Sequence, residues 1–277
     1  MSGAYPSESD IFEHGIIATG SEIQIPLNVL ATTRLPIYSG YDFAIVDSDG
    51  SSLNERAIQL AQVNRPHAVA DFYEESDVRY CLLATLYHLN QLIRLYTDGC
   101  RLFDSTYPSS NSTEGNFNNP RVFYEIDALL GSAKRVYESI RKVLWKHYAP
   151  GPQGRWKSIR KAVESPDIPE PFRSELRLSW DTYGETLADY RNCVAHYDPL
   201  TDGATTCWME RYEDRWGMTV KLPSNPSAKS RSGYNFDSGP EALRYCHSIA
   251  AHLVDLSEQL TRQSTVSQHL NAHSNSS

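Results

Sequence analysis

PRVFYEIDALLGSAKRVYESIRKVLWKHY, residues 120–148, carries apolar side chains at Ile126, Leu129, Leu130, Ala133, Val136, Tyr137, Ile140, Val143 and Leu144. Steps of three and four hold them on one face, so the stretch predicts a long amphipathic α-helix with that face in a core. Pro120 suits a first turn, where its missing N–H costs nothing. Ala149 to Gly154 break the helix.

The same period recurs on both sides. Upstream, Ser76 caps a predicted helix through Leu82, Leu83, Leu86, Leu89, Ile93 and Tyr96, with Gly99 near its end. Residues 108–120 read as a loop. Downstream, a short helix is expected around residues 156–163. A third long helix follows over 172–195, with Leu176, Trp180, Tyr183, Leu187, Tyr190 and Val194 as a bundle seam. A β-hairpin is expected from 207–212 and 216–222, with Glu213, Asp214 and Arg215 between them. Residues 223–240, rich in Ser, Asn, Gly and Pro, read as a mobile loop. A last helix spans 241–262, with Leu243, Cys246, Ile249, Ala250, Leu253, Leu256 and Leu260 inward.

The first 65 residues differ. Ile23, Ile25 and Leu27 alternate with polar residues and Pro26, and residues 41–46 form a second strand candidate closed by a turn at 47–50. Residues 53–63 suit a short helix. The chain is therefore expected to be mainly α: an antiparallel helical bundle over 66–263, with a hairpin insertion. Residues 1–65 form a small β-containing arm and 264–277 a disordered tail.

Composition narrows the function classes. Across 277 residues the hydrophobic fraction is 40% and the charged fraction 22%, enough for a sizeable core. A net charge of -8 argues against coating nucleic acid by bulk electrostatics, but leaves room for a small basic site. The polar, acidic start lacks a secretory pattern, and no run is long and apolar enough for a membrane span. Cys81, Cys100, Cys193, Cys207 and Cys246 are widely spaced, with no CxxC pair. Neither a disulfide framework nor a zinc knuckle is indicated, and a cytoplasmic setting without cofactor or metal is expected. His247, His252, His269 and His273 lack acidic or Cys partners at ligand spacing and read as core or solvated histidines.

Chemistry is concentrated in Arg191-Asn192-Cys193-Val194-Ala195-His196, at the end of the third long helix. Histidine exchanges protons near neutral pH, and the arginine fork matches phosphate oxygens. An amide such as Asn192 can fix either partner. Together they suit metal-free cleavage of a phosphodiester. On an ideal helix the two side chains leave the axis about 140° apart, from ~100° per residue. Convergence is therefore expected only if the helix breaks between them or a second subunit completes the site. The bland reading stays open: helix ends favour Arg and His through the dipole, and the chain is then an interaction module or a nucleotide-binding bundle. Arg141 and His147 have similar spacing, in a Lys-rich setting that reads as a solvated helix end. Basic residues from Lys134 to Lys161 form a local strip, and Trp208, Trp216 and Tyr212 either stack bases or close the hairpin.

Arg191-Asn192-x-x-Ala195-His196 resembles the R-x4-6-H signature of the HEPN superfamily, in the form with Asn after Arg and a small residue before His. The resemblance extends over roughly residues 76–262 and leaves the N-terminal part and the hairpin unexplained. It implies a helical-bundle, metal-independent endoribonuclease of the kind found in toxin–antitoxin and other defence systems. Homodimerisation is implied too, with RNA as substrate and an antitoxin or other protein as partner. Arg191 would hold the phosphate, His196 would act as acid and base, and Asn192 would assist. Glu125 and Asp127 are candidates for the acidic helper that a neighbouring helix contributes. A toxin subgroup has Tyr two residues after the His; here Tyr197 follows directly and Asp198 stands at that place.

Overall fold

The central helix runs over Pro120–Tyr148 (called α3 below). Its start is fixed by Asn119, whose side chain accepts from the Arg121 N–H, with Pro120 in the first turn. All nine stripe positions named above are buried. The computed structural model describes residues 45–62, 78–108, 113–149, 156–196, 198–201, 206–212, 215–228 and 230–274. In chain order its elements are helix α1 (Leu53–Gln62), helix α2 (Val78–Thr106), strand β1 (Glu114–Asn118), α3, and helix α4 (Ile159–Val163). Helix α5 (Phe172–Ser179), a π-helical turn (Trp180–Gly184), helix α6 (Glu185–His196), strands β2 (Thr206–Tyr212) and β3 (Arg215–Thr219), and helix α7 (Ala242–Ser274) follow. The molecule is mainly helical, with one small antiparallel sheet.

Helix α2 lies antiparallel to α3: His88 pairs with Glu125, while Tyr80 lies under Arg135. The α5–α6 segment is antiparallel to α3 on another side, with Trp180 edge-on to Tyr137. Helix α7 buries all seven expected inward residues in the same core. Its start is capped by Glu241, which accepts from the Arg244 N–H (2.8 Å) and from the Tyr96 hydroxyl (2.6 Å). No described helix is long and apolar enough to cross a membrane.

Several expectations change. The third long helix is not uniform: it widens into the π turn at Trp180–Gly184. The indole of Trp180 lies where a Cβ on Gly184 would stand, so only glycine admits this packing. The supposed loop before Pro120 contains β1, which pairs antiparallel with β2 from Glu114↔Glu210 to Asn118↔Thr206. Phe117 is its one large apolar residue, so the strand owes its form to the β2 edge rather than to its own alternation. Helix α7 runs on to Ser274, where a disordered tail from residue 264 was expected; continuing an already packed helix adds a bond per residue without a new nucleation cost. Of the N-terminal arm, the described part is a turn closed by a Val46–Ser52 bridge and then α1. Ile45, Leu53 and Ala57 join the common core, and Arg56 binds Asp47, Asp255 and Glu258. The strand candidate at 23–27 lies outside the described residues.

Gly131 sits inside α3, and an added Cβ would meet nothing within 4 Å. Gly131→Ala is therefore expected to stabilise the fold by ~0.5–1 kcal/mol, by removing unfolded-state freedom. The readout is a higher urea midpoint at unchanged slope; a lower midpoint would contradict the open space seen at this position.

Candidate active site

Arg191, Asn192 and His196 lie in the last two turns of α6, with Asn192 and His196 exposed and Arg191 half-buried. An Arg191 guanidinium nitrogen stands 3.3 Å from His196 Nε2 and 3.4 Å from Asn192 Oδ1. The three therefore converge within one regular helix and one chain, contrary to the expectation from helix geometry. The 140° separation applies to the Cβ directions; the long arginine side chain wraps around the helix end to cover it. Guanidinium donates only, so in this contact Nε2 is the acceptor.

The end of α6 is held from below. Tyr190 is buried, its phenol pushed to a higher pKa by burial, and its hydroxyl donates to the Pro223 carbonyl (2.6 Å). Cys193 donates to the Pro226 carbonyl. Beyond the helix, Asp198 accepts from the Arg231 N–H (2.8 Å), and Tyr234 donates to the Asp198 carbonyl (3.3 Å). Residues 223–240 were expected to be a mobile loop; their described part is an ordered strap with two 3-10 turns, Pro226–Ala228 and Arg231–Gly233. Asn225 ties its two limbs, giving its Nδ2 to Gly233 O (2.8 Å) and accepting the Asn235 N–H (2.7 Å). The polar residues that look loop-like in sequence make the bonds that fix the strap.

No family model, curated protein or solved structure matches this chain.

The two acidic candidates separate. Glu125 is engaged with His88 on α2 at 2.8 Å and makes no hydrogen bond or ion pair with Arg191 or His196. Asp127 is closer in kind. It lies near Cys246, whose thiol is pushed up by burial first and then by the Glu241 and Asp127 carboxyls. Among the described residues its carboxyl has no hydrogen-bond partner, and burial pushes its pKa up to about 6. Tyr197 lies outside the described residues.

Asp127 carries a stability prediction. Its folded pKa is above the unfolded value of ~3.9, so the folded state holds the extra proton between about pH 4 and 6. Its contribution to stability thus falls as pH rises through that window. Asp127→Asn is expected to be more stable than wild type by ~1–2 kcal/mol at pH 7, a figure discounted for partial exposure, with the difference gone below about pH 4. Urea unfolding at pH 4 and pH 7 measures it, and an equal difference at both would remove the ionisation argument.

The rival spacing is structural. Arg141 is only 8% exposed, binds Glu138 (2.7 Å) and donates to the Trp156 carbonyl. It is not part of a solvated helix end but pins the chain after α3. Much of the basic strip is paired as well: Lys134 with Glu138 (2.6 Å), and Arg160 with Glu164 (3.7 Å) and Glu185 (3.8 Å). His252 is a core histidine, stacked on Tyr183 and bonded to Ser179 (2.6 Å), and burial lowers its pKa to about 4. His247 bonds the Val46 carbonyl. His269 and His273 belong to side chains outside the described ones. No group of three or more potential metal ligands exists among the described residues. Trp216 closes the hairpin against α2, whereas Trp208 stands out at 49% exposed.

Proposed function

We propose that this chain is a HEPN-like, metal-independent endoribonuclease whose reacting groups are Arg191 and His196, assisted by Asn192. The observation that carries the reading is the 3.3 Å contact between an exposed histidine and a half-buried arginine at one helix end. A histidine packed into the fold would have favoured a scaffold. Here both groups can reach a substrate.

The chemistry follows from the contact. A scissile phosphate competes with Nε2 for the guanidinium, and the charged acceptor wins because charge-assisted bonds are the stronger ones. Arg191 then moves onto the phosphate oxygens, and the Nε2 lone pair becomes available. It takes the 2'-hydroxyl proton, the 2'-oxygen bonds to phosphorus, and the bond to the 5'-oxygen breaks. Arg191 offsets the charge that builds on the phosphorane. The products are a 2',3'-cyclic phosphate and a 5'-hydroxyl, which needs one proton. One imidazole that has just accepted a proton from the nucleophile is poorly placed to deliver another across the phosphate. A second copy of the chain, facing the first across a two-fold, would supply it from its own His196 in the doubly protonated, imidazolium form. The reading therefore includes a homodimer and a cytoplasmic defence or stress role in which an antitoxin-like protein restrains the enzyme.

The test is incubation of the purified protein with total RNA in the presence of a chelator, beside His196→Ala and Arg191→Ala. Cleavage by wild type alone, with cyclic-phosphate ends, supports the proposal. Equal products from all three folded proteins would overturn it. A binding role is favoured by a different observation: Tyr80, Tyr87 and Tyr124 are exposed on the paired helices α2 and α3. Loss of that reading would leave the nuclease proposal untouched.

A further inference from the structure

A cavity of about 220 Å³ opens beside the strap, lined among others by Phe123, Trp208, Phe236, Lys221, Thr201 and Asp237. Three aromatic side chains from three different elements line it. Phe123 comes from the first turn of α3, Trp208 from the outer face of β2, and Phe236 from the strap. Strand β2 turns Cys207 and Met209 into the core and leaves the Trp208 ring half in solvent. A large exposed indole at the mouth of a cavity is the kind of group that stacks on a planar ligand. The cavity is smaller than the ~300 Å³ at which drug-sized pockets begin, so it suits one planar ring system. The charged residues at its rim are one cation, Lys221, and one carboxylate, Asp237.

The cavity is tied to the reacting pair by the chain itself. Thr201 follows His196 by five residues, which at ~3.6 Å each places the two Cα atoms no more than about 18 Å apart. Asp198, between them, is bonded to Arg231 and Tyr234 of the strap, and the Tyr234 ring meets Phe236 edge-on at 6.1 Å. The strap's inner limb is fixed too: Asp237 N–H donates to Asn235 Oδ1, and Leu222 N–H to the Pro240 carbonyl.

We infer that this cavity is a nucleobase subsite, in which an unpaired base of the RNA, a few nucleotides from the scissile phosphate, stacks on Trp208. The inference rests on the proposed nuclease function for its substrate, but the pocket can be tested without cleavage. Lys221 gives its Nζ to the Gly239 carbonyl (3.3 Å), whereas Asp237 presents a carboxylate, which accepts from the exocyclic amine of cytosine and repels the carbonyl edge of uracil. The subsite therefore prefers amino-bearing bases.

The experiment measures binding by fluorescence anisotropy. Its probes are short single-stranded 2'-O-methyl oligonucleotides of cytidine and of uridine, which lack the attacking hydroxyl and cannot be cleaved. Wild type is expected to bind the cytidine probe more tightly than the uridine probe. Trp208→Ala is expected to weaken cytidine binding about ten-fold or more, the loss of one stacked base, with Trp208→Phe recovering most of it. Asp237→Asn is expected to reduce the cytidine preference. Unchanged melting of Trp208→Ala excludes a folding artefact. Equal binding by wild type and Trp208→Ala overturns the subsite, even if RNA is cleaved normally. Trp208-dependent binding with no cleavage by wild type upholds the subsite and removes the nuclease reading. A final arm uses free CMP: saturation of the Trp208-dependent site by CMP as tightly as by the oligonucleotide would overturn the RNA strand as the source of the base and assign a free nucleotide.

Discussion

His196→Ala is expected to lower RNA cleavage by about 10²–10⁴-fold, the range for loss of a positioned acid or base. Arg191→Ala is expected to cost about 10²–10³-fold, as for one lost donor to a developing oxyanion. The losses should appear in kcat more than in KM, because in the proposed reaction both groups act on charge and protons that develop only along its course. Arg191→Lys should recover little, since an ammonium lacks the planar fork that grips two phosphate oxygens. Neither change should lower stability by more than ~0.5 kcal/mol, because the pair is exposed or half-buried at a helix end. The dimer can be read in the same assay. Adding a large excess of His196→Ala chains to wild type, with time to exchange, should drive activity per wild-type chain towards zero if each reaction needs two histidines. Activity per wild-type chain that stays constant would mean that one chain suffices, and the second proton would need another source.

The helices were legible because burial imposes a period and the apolar residues of α3 and α7 keep it without interruption. The π turn was not, because the seam Leu176, Trp180, Tyr183, Leu187 continues the ordinary spacing straight through it. What widens the helix is the seating of the Trp180 indole over Gly184, a contact visible only in three dimensions. Strand β1 was missed for a related reason: its partner β2 lies some ninety residues away, and Gly115 and Asn116 carry no strand preference of their own. The residues of the candidate site were legible from type and spacing. Their convergence was not, because the angular argument treats side chains as short spokes and Arg191 is long enough to defeat it. The burial of Asp127 and the cavity aromatics Phe123 and Phe236 were equally hidden, since each depends on which distant element arrives beside it.

Gly239→Ala should be the most damaging small substitution in the strap. A Cβ there would fall inside the van der Waals shell of the Leu222 carbonyl oxygen and close to the Ser224 amide. Both obstacles are backbone, so no rotamer change relieves the clash. The same stretch is held by Leu222 N–H to Pro240 O (3.0 Å), Ser224 N–H to Asn235 O (2.7 Å) and Ala242 N–H to Val220 O (2.8 Å). These bonds join the strap to the end of β3 and to the start of α7. Overpacking costs about 1–3 kcal/mol, and each bond sacrificed to relieve it about 1 kcal/mol more. A loss of ~3 kcal/mol or more is therefore expected, which in a chain of this size lowers Tm by roughly 6–12 °C. Gly233→Ala is the matched control, because its Cβ would meet Ala228 at an ordinary 3.4 Å and should change stability by less than ~1 kcal/mol. Hydrogen exchange locates the damage: the Leu222 and Ser224 amides should lose protection in Gly239→Ala while those of α3 keep theirs. The strap also bonds Asp198, two residues past His196, so its release should lower cleavage with Arg191 and His196 both intact. Full activity in a variant whose strap amides exchange freely would show that the α6 end holds its own geometry, and that the strap serves stability alone.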